Sequence, residues 1–195
     1  MNQTLFHLAF VAIFIVFFGI RAYWHRRARS ERGAVTYHEG ALHRGVRVAV
    51  GVPFMLMLLV YFVRPETLAW AQFALPEWAR WLGLALGLVA LPLSWWVQVS
   101  LGANFDTTLH VRQGHTLVTH GPYRWVRHPM YSVLYLFELG MLLLSANWLV
   151  GGVPLLALTL IVITRLDHEE ATMIATFGEA YRTYMRRTGR LLPRL

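Results

Sequence analysis

The sequence contains no cysteine and no lysine, and only 14% of its 195 residues are charged. Without cysteine there is no disulfide scaffold, and the redox compartment is left undetermined. Without lysine there is neither a phosphate-binding P-loop nor a Schiff-base nucleophile, and no glycine-rich fingerprint follows a predicted strand, so Rossmann-type cofactor binding is excluded. The scarcity of charge excludes a disordered chain. What fills the sequence is apolar: 56% hydrophobic and 14% aromatic residues, with a mean hydropathy of +0.45. That is the composition of a membrane protein. All 18 basic residues are arginine, giving a net charge of +8 and a pI near 10.6, so nucleic-acid binding has to be weighed by where the arginines sit.

A hydrocarbon core about 30 Å thick takes roughly 20 helical residues to cross. Five apolar segments approach that size: Leu5 to Tyr23, Val46 to Val63, Trp81 to Leu101, Tyr131 to Ala146 and Trp148 to Thr164. The last two are short and separated by a tight turn at Ser145 to Trp148, so they are expected to form a helical hairpin that need not cross the bilayer in a straight line. Pro53, Pro92 and Pro154 lie inside or at the start of these runs, where a membrane helix tolerates a kink. Gly83 and Gly87 form a GxxxG pattern in the third run, which permits close helix approach or ordinary packing alike. The expectation is an all-α integral membrane protein of five transmembrane helices forming a single domain over 1–195. Residues 1–100 would make a three-helix membrane part and 101–195 a cofactor-binding and catalytic part, with a cytoplasmic C-terminal helical segment forming the cofactor pocket.

The first apolar run has no basic residue before it and is followed by Arg21, Arg26, Arg27, Arg29 and Arg32, the pattern of an anchor with its N-terminus outside and not of a cleavable signal peptide. Sixteen arginines fall after the first, third and fifth runs, and only Arg64 and Arg80 remain for the opposite side. The positive-inside rule then puts the polar loops and the C-terminus in the cytoplasm. Topology and anionic lipid account for the basic charge, so no nucleic-acid partner is expected. Trp24, Trp78, Trp81, Trp125 and Trp148 fall near predicted helix ends, where indole rings favour the headgroup level.

Metal-site patterns fail on spacing. His38, Glu39 and His43 have the second histidine five residues on instead of four, and His168, Glu169, Glu170 meets Thr172 where a second histidine is needed. His110, His115 and His120 recur every five residues, which suits neither a helix face nor a strand face. No metal is expected.

Chemistry-bearing residues gather in two segments. In the first, Gly121-Pro122 and His128-Pro129 set two turns beside an apolar run and expose backbone groups at the membrane surface. It serves either as a polar ligand's cavity or as a juxtamembrane loop anchored by Tyr123, Trp125 and arginines. In the second, Arg165, Glu169 and Glu170 end the fifth run; Arg165 and Glu169 share a helix face, as an exposed ion pair or as an anion and cation site at the mouth of the bundle. Met173, Ile174, Phe177, Tyr181, Tyr184 and Met185 follow at helical spacing, with a break expected at Phe177-Gly178. Glu138 lies inside the fourth run and is expected to face Gln98 or a pocket wall, or to be a hydrogen-bonded packing residue.

Five motifs together, Gly114-His115-x-Leu117-Val118, Gly121-Pro122-Tyr123-Arg124-x-x-Arg127-His128-Pro129-x-Tyr131, Arg165-x-x-x-Glu169-Glu170, Phe177-Gly178-x-x-Tyr181-x-x-Tyr184 and Thr188-Gly189-Arg190-Leu191-Leu192-Pro193, resemble the isoprenylcysteine carboxyl methyltransferase family and its wider phospholipid methyltransferase kin. Their order covers the chain from about Leu101 onward; the first two apolar runs carry only a general likeness. The resemblance implies S-adenosyl-L-methionine as cofactor and a lipophilic or lipidated substrate entering from the membrane lipids. It implies cofactor contacts from His115, Leu117, Val118, Gly121, Tyr123, His128, Pro129, Tyr131, Glu169 and Glu170, with Arg165 and Glu169 as the catalytic pair. Carboxyl O-methylation of an isoprenylcysteine-like acceptor is the leading expectation. A phospholipid amine, a small thiol and a non-catalytic membrane scaffold are the alternatives. The lysine-free chain suggests a prokaryotic source, with the protein in the cytoplasmic membrane.

Overall fold

The computed structural model describes residues 2–32, 41–102 and 116–194, and among them it is helical throughout, with two isolated β-bridges and no strand. Six α-helices follow in order: α1 (Asn2–Arg32), α2 (Ala41–Val63), α3 (Glu77–Leu101), α4 (Pro129–Ser145), α5 (Val153–Phe177) and α6 (Glu179–Arg187). Short 3-10 turns occupy Pro65–Ala71 and Gly121–Arg124, and one π turn Trp148–Gly152.

Among the described residues three stretches are long and apolar enough to cross a membrane: Asn2–Ala28, Glu77–Leu101 and Trp148–Phe177. A fourth is broken, with Gly51–Val63 and Pro65–Ala71 meeting at 113°. Helix α4, at 17 residues, is an apolar helix of shorter class. It measures about 26 Å at 1.5 Å per residue, less than the hydrocarbon thickness. The helices also outrun the apolar segments read from sequence. Helix α1 continues through the Arg21–Arg29 region to Arg32, and α5 continues past Thr164 to Phe177, because arginine and glutamate are good helix formers and no glycine or proline interrupts them. Gly178, at φ +56°, then breaks the chain before α6, as the sequence predicts.

The tightest packing is between α3 and α4. A Cβ placed on Gly83 would lie 2.5 Å from Leu144 N, and one on Gly140 would lie 2.8 Å from Gly87 N. These contacts are to backbone, which cannot swing aside, so the GxxxG pattern is a helix-approach device here and its partner glycine is on α4. Helix α1 packs across both through Phe6, Phe10, Ile13 and Phe17, all at most 3% exposed, and the Phe17 and Phe137 rings stack at 3.9 Å. Large apolar side chains such as Leu8, Ile15, Leu88, Leu156, Leu160 and Ile163 point outward, the surface a lipid solvent wets.

The α4–α5 hairpin forms at the predicted turn. Ala146 takes the left-handed conformation, and the Asn147 side chain accepts from Leu149 N and Val150 N at 3.0 and 3.1 Å while donating to Leu68 O at 2.9 Å. One buried side chain thereby caps the turn and ties it to the bend after α2.

Candidate active site

Two glycine or proline turns bring the polar segment back under the bundle. Gly121 adopts φ +58° and lies against α3; a Cβ there would sit 2.2 Å from Ser100 Oγ, so only glycine fits both the backbone and the space. Pro122 and Tyr123 are buried, and Pro129 occupies the first turn of α4, where a missing N–H costs nothing. Between these turns the chain pairs with the C-terminal segment: Gly189 N donates to Trp125 O at 3.0 Å, Arg127 N to Gly189 O at 2.9 Å and His128 N to Arg190 O at 3.1 Å. Residues far apart in sequence are thus zipped together directly beside α5.

Glu170 is the hub of that zipper. It is 8% exposed and receives Arg127 Nε on Oε1 at 2.9 Å, His128 Nε2 on the same oxygen at 3.3 Å and Arg190 Nη2 on Oε2 at 3.1 Å. Arg127 also donates to the carbonyls of Met185 and Thr188, and Arg190 to the Asp167 carboxylate. Chiefly through that Asp167 hydrogen bond, and with Glu170 behind it, Arg190 is raised above its ordinary pKa and stays cationic. Tyr184 closes the arrangement by donating to Tyr123 O at 2.6 Å, while Thr188 Oγ1 donates to Tyr184 O at 2.7 Å. Burial pushes the Tyr184 phenol up, and that of Tyr181 up to about 12, so both stay neutral.

Glu169 points to a different set. Its Oε1 accepts from Tyr131 OH at 2.8 Å and pairs with Arg165 Nε at 2.7 Å; its Oε2 lies 3.6 Å from His128 Nδ1, longer than a hydrogen bond. Arg165 and Glu169 are 35% and 18% exposed in their side chains, against 10% for Glu170. The i,i+4 ion pair foreseen from spacing therefore forms, and it sits on the more open side of the cluster.

The predicted residues divide accordingly. Tyr131, His128, Arg165, Glu169 and Glu170 come together. Pro129 starts the helix that carries Tyr131. Leu117 and Val118 lie half-buried in an extended stretch, with Val118 packed on the hydrophobic core. The Tyr123 ring belongs to that core as well, and its contribution to the cluster is its carbonyl. His115 lies outside the described residues. Arg127 and Arg190 stand within the motifs with no role that spacing assigns; their partner Glu170 sits on α5, 43 and 20 positions away, and no local pattern announces it. Gln98 is fully buried with neither amide atom hydrogen-bonded, so no Glu138–Gln98 bond forms. Among the described residues no group of three metal-ligating side chains converges. Two cavities, of about 320 and 340 Å³, lie elsewhere: one at the far ends of α3 and α4, the other between α1 and α3 around Trp24, Arg27, Val99 and Gly102.

The donor set suits a ligand carrying a positive charge and hydrogen-bonding edges. Glu169 offers a partly open carboxylate oxygen, with an imidazole and a phenol beside it. That is the donor chemistry S-adenosylmethionine requires at its ammonium and sulfonium end.

Fold and cluster together define an all-helical integral membrane protein with a charged site at one end of its bundle. Residues 81–175 match the model of the isoprenylcysteine carboxyl methyltransferase family. The chain is 29% identical over 130 residues to a protein-S-isoprenylcysteine O-methyltransferase of Rattus norvegicus, covering 66% of this chain and 46% of that protein. It is 29% identical over 110 residues to the uncharacterized protein YpbQ of Bacillus subtilis, covering 55% and 58% respectively. Its fold resembles that of a eukaryotic intramembrane Ras methyltransferase, ICMT, with a TM-score of 0.58 and 22% identity over 95% of this chain and 67% of that one. The chain spans about half the length of the curated mammalian relatives it matches. The Thr188–Pro193 motif lies beyond the matched stretch, yet the structure ties it to the cluster through Arg190.

Proposed function

We propose that the chain is an S-adenosylmethionine-dependent membrane methyltransferase acting on the carboxylate of a lipophilic, isoprenylcysteine-like acceptor. The observation that carries this reading is the convergence of His128 and Tyr131 from α4 with Arg165 and Glu169 from α5, at the end of a membrane bundle and inside the family-matched stretch.

S-adenosylmethionine would supply a methyl group activated by attachment to a sulfonium. Glu169, with Tyr131 and His128, would hold its cationic end, and the backbone of Leu117, Val118 and Gly121, with His115, would line its other edges. Glu170 acts through Arg127 and His128, fixing the segment that presents Tyr131. A carboxylate acceptor is already ionised at neutral pH, so this site needs no general base. What it must provide is alignment and a dry, charge-complementary setting. The Arg165 guanidinium, paired with Glu169 and the most exposed of the group, is placed to share its fork with an incoming carboxylate.

In this reading five apolar segments enter the membrane, α4 and the bent α2 segment incompletely, with the cluster on the cytoplasmic side as the arginine distribution supports. The deciding experiment is transfer of labelled methyl from S-adenosylmethionine by the purified protein in detergent, offering an N-acylated S-prenylcysteine, phosphatidylethanolamine and a small alkyl thiol side by side. Labelling of the first supports the reading. Labelling of the second or third alone reassigns the acceptor, and failure to bind S-adenosylmethionine or its demethylated product by calorimetry leaves a scaffold.

A further inference from the structure

A second buried cation lies at the opposite end of the bundle from the cluster. Arg80, in the first turn of α3, is 8% exposed. Its Nε and Nη2 donate to Leu144 O at 3.1 and 3.0 Å, its Nη1 donates to Gln3 Oε1 at 2.6 Å, and its guanidinium lies 4.3 Å from the centre of the Phe6 ring. Every one of these partners is neutral. Among the described residues no carboxylate forms an ion pair with it; Glu77, one turn earlier, accepts from Asn2 and Trp81 instead. A guanidinium has five N–H donors, and the bonds named use three, which leaves one on each terminal nitrogen. A cation withdrawn from water with its nearest carboxylate, Glu77, acting only at a distance is costly, and more so beside lipid.

The cavity of about 320 Å³ opens at this side chain, lined by Arg80, Gln3, Gln72 and Ser145 with the 73–75 backbone stretch. It lies where α4 ends, the length of that helix away from Pro129, or about 26 Å. Indole rings mark its depth: Trp78 is 68% exposed, and Trp70 and Trp148 meet edge to face at 5.6 Å with both rings largely uncovered. Exposed tryptophans gather at the level of lipid headgroups, which is the level of lipid phosphates.

We propose that this cavity is a binding site for a phosphate-class oxyanion, held by the free edge of the Arg80 fork and supplied by a membrane phospholipid. A planar fork meets two phosphate oxygens at once, and the Gln72 side-chain amide adds a neutral donor beside it. Inorganic phosphate shares the chemistry and is the competing source. The site makes no use of the methyl-transfer cluster and stands whether or not that reading holds.

The test is thermal unfolding of the whole protein, delipidated in neutral detergent and followed by tryptophan fluorescence. Short-chain phosphatidylglycerol, inorganic phosphate and a short-chain diacylglycerol are added separately. Phosphatidylglycerol should raise the midpoint by about 5 °C or more at saturation, and the diacylglycerol, which lacks phosphate, should not. An equal rise with inorganic phosphate keeps the site and assigns it to free anion. Arg80→Gln should lose the rise, and so should Ala74→Leu, which fills the cavity wall while leaving the Arg80 hydrogen bonds in place and so decides the matter if the first variant does not fold. No rise with either phosphate probe, a rise equal to that with diacylglycerol, or a rise kept in Ala74→Leu overturns the proposal.

Discussion

Replacing Glu170 by glutamine separates a residue that organises the site from one that binds in it. The change keeps shape and removes charge from a side chain that touches Arg127, His128 and Arg190. The Arg127 bond, at 2.9 Å and 10% exposure on both sides, is charge-assisted and mostly desolvated, and its loss costs about 1.5–3 kcal/mol. The Arg190 contact contributes less than about 1 kcal/mol because that side chain is 39% exposed and keeps Asp167. At 3.3 Å the His128 contact adds little. Arg127 keeps the carbonyls of Met185 and Thr188, so its donors stay partly paired although its counter-ion is gone. The total is about 2–4 kcal/mol, or a fall of roughly 30- to 800-fold in the protection of amides that open with the zipper. Hydrogen exchange in detergent micelles reads it directly at Arg127, His128 and Gly189, whose N–H groups make the cross-links. The α3 amides around Gly87, held by packing against Gly140, should keep their protection. Unchanged exchange at the three zipper amides, together with lost cofactor binding, would refute the organising role and make Glu170 a direct ligand.

Glu169→Gln should behave in the opposite way, with exchange at the zipper amides nearly unchanged and S-adenosylmethionine affinity by calorimetry reduced at least tenfold; equal affinity in both proteins would remove Glu169 from the site. Arg165→Lys keeps the charge and loses the fork, so turnover on a carboxylate acceptor should fall by more than tenfold with cofactor affinity nearly kept, and near-normal turnover would favour an amine or thiol acceptor. Gly140→Val should fail to give monodisperse folded protein, because its Cβ would meet Gly87 N at 2.8 Å, whereas Gly19→Ala, with nothing within 4 Å, should be neutral or stabilising by about 0.5–1 kcal/mol in denaturant titrations. Asn147→Ala removes the cap on Leu149 and Val150 and the bond to Leu68, and should lower stability by about 2 kcal/mol in the same titrations.

The membrane class was legible because it rests on composition and on apolar run length, properties that need no partner. So were the breaks at Gly121, Pro129 and Gly178, which are backbone preferences of single residues. Helix ends were read less well. Hydropathy marks where a helix leaves lipid and not where it stops, so α1 and α5 each run beyond their apolar segments. The second apolar run ends at Val63, and nothing in its hydropathy shows the 113° bend to Pro65–Ala71 that follows it. GxxxG on α3 was ambiguous for a similar reason: its meaning depends on Gly140, and that pairing is tertiary.

The same distinction explains why two adjacent glutamates divide their work. Consecutive positions on a helix differ by about 100° in direction, so a pair such as Glu169-Glu170 cannot address one ligand from one face. Glu170 turns toward the segment around Arg127 and Arg190 and is closed off by it; Glu169 turns toward Tyr131 and Arg165 and stays partly open. His128 lies between them, with Nε2 at 3.3 Å from one carboxylate and Nδ1 at 3.6 Å from the other, which couples the closed side to the open one through a single ring. A ligand that takes up the Glu169 oxygen and fixes the His128 ring from its Nδ1 side also holds Nε2 against Glu170. Binding at the open side and order in the C-terminal zipper are therefore linked, and ligand saturation should raise hydrogen-exchange protection at Gly189 even though Gly189 is remote from Glu169 in sequence.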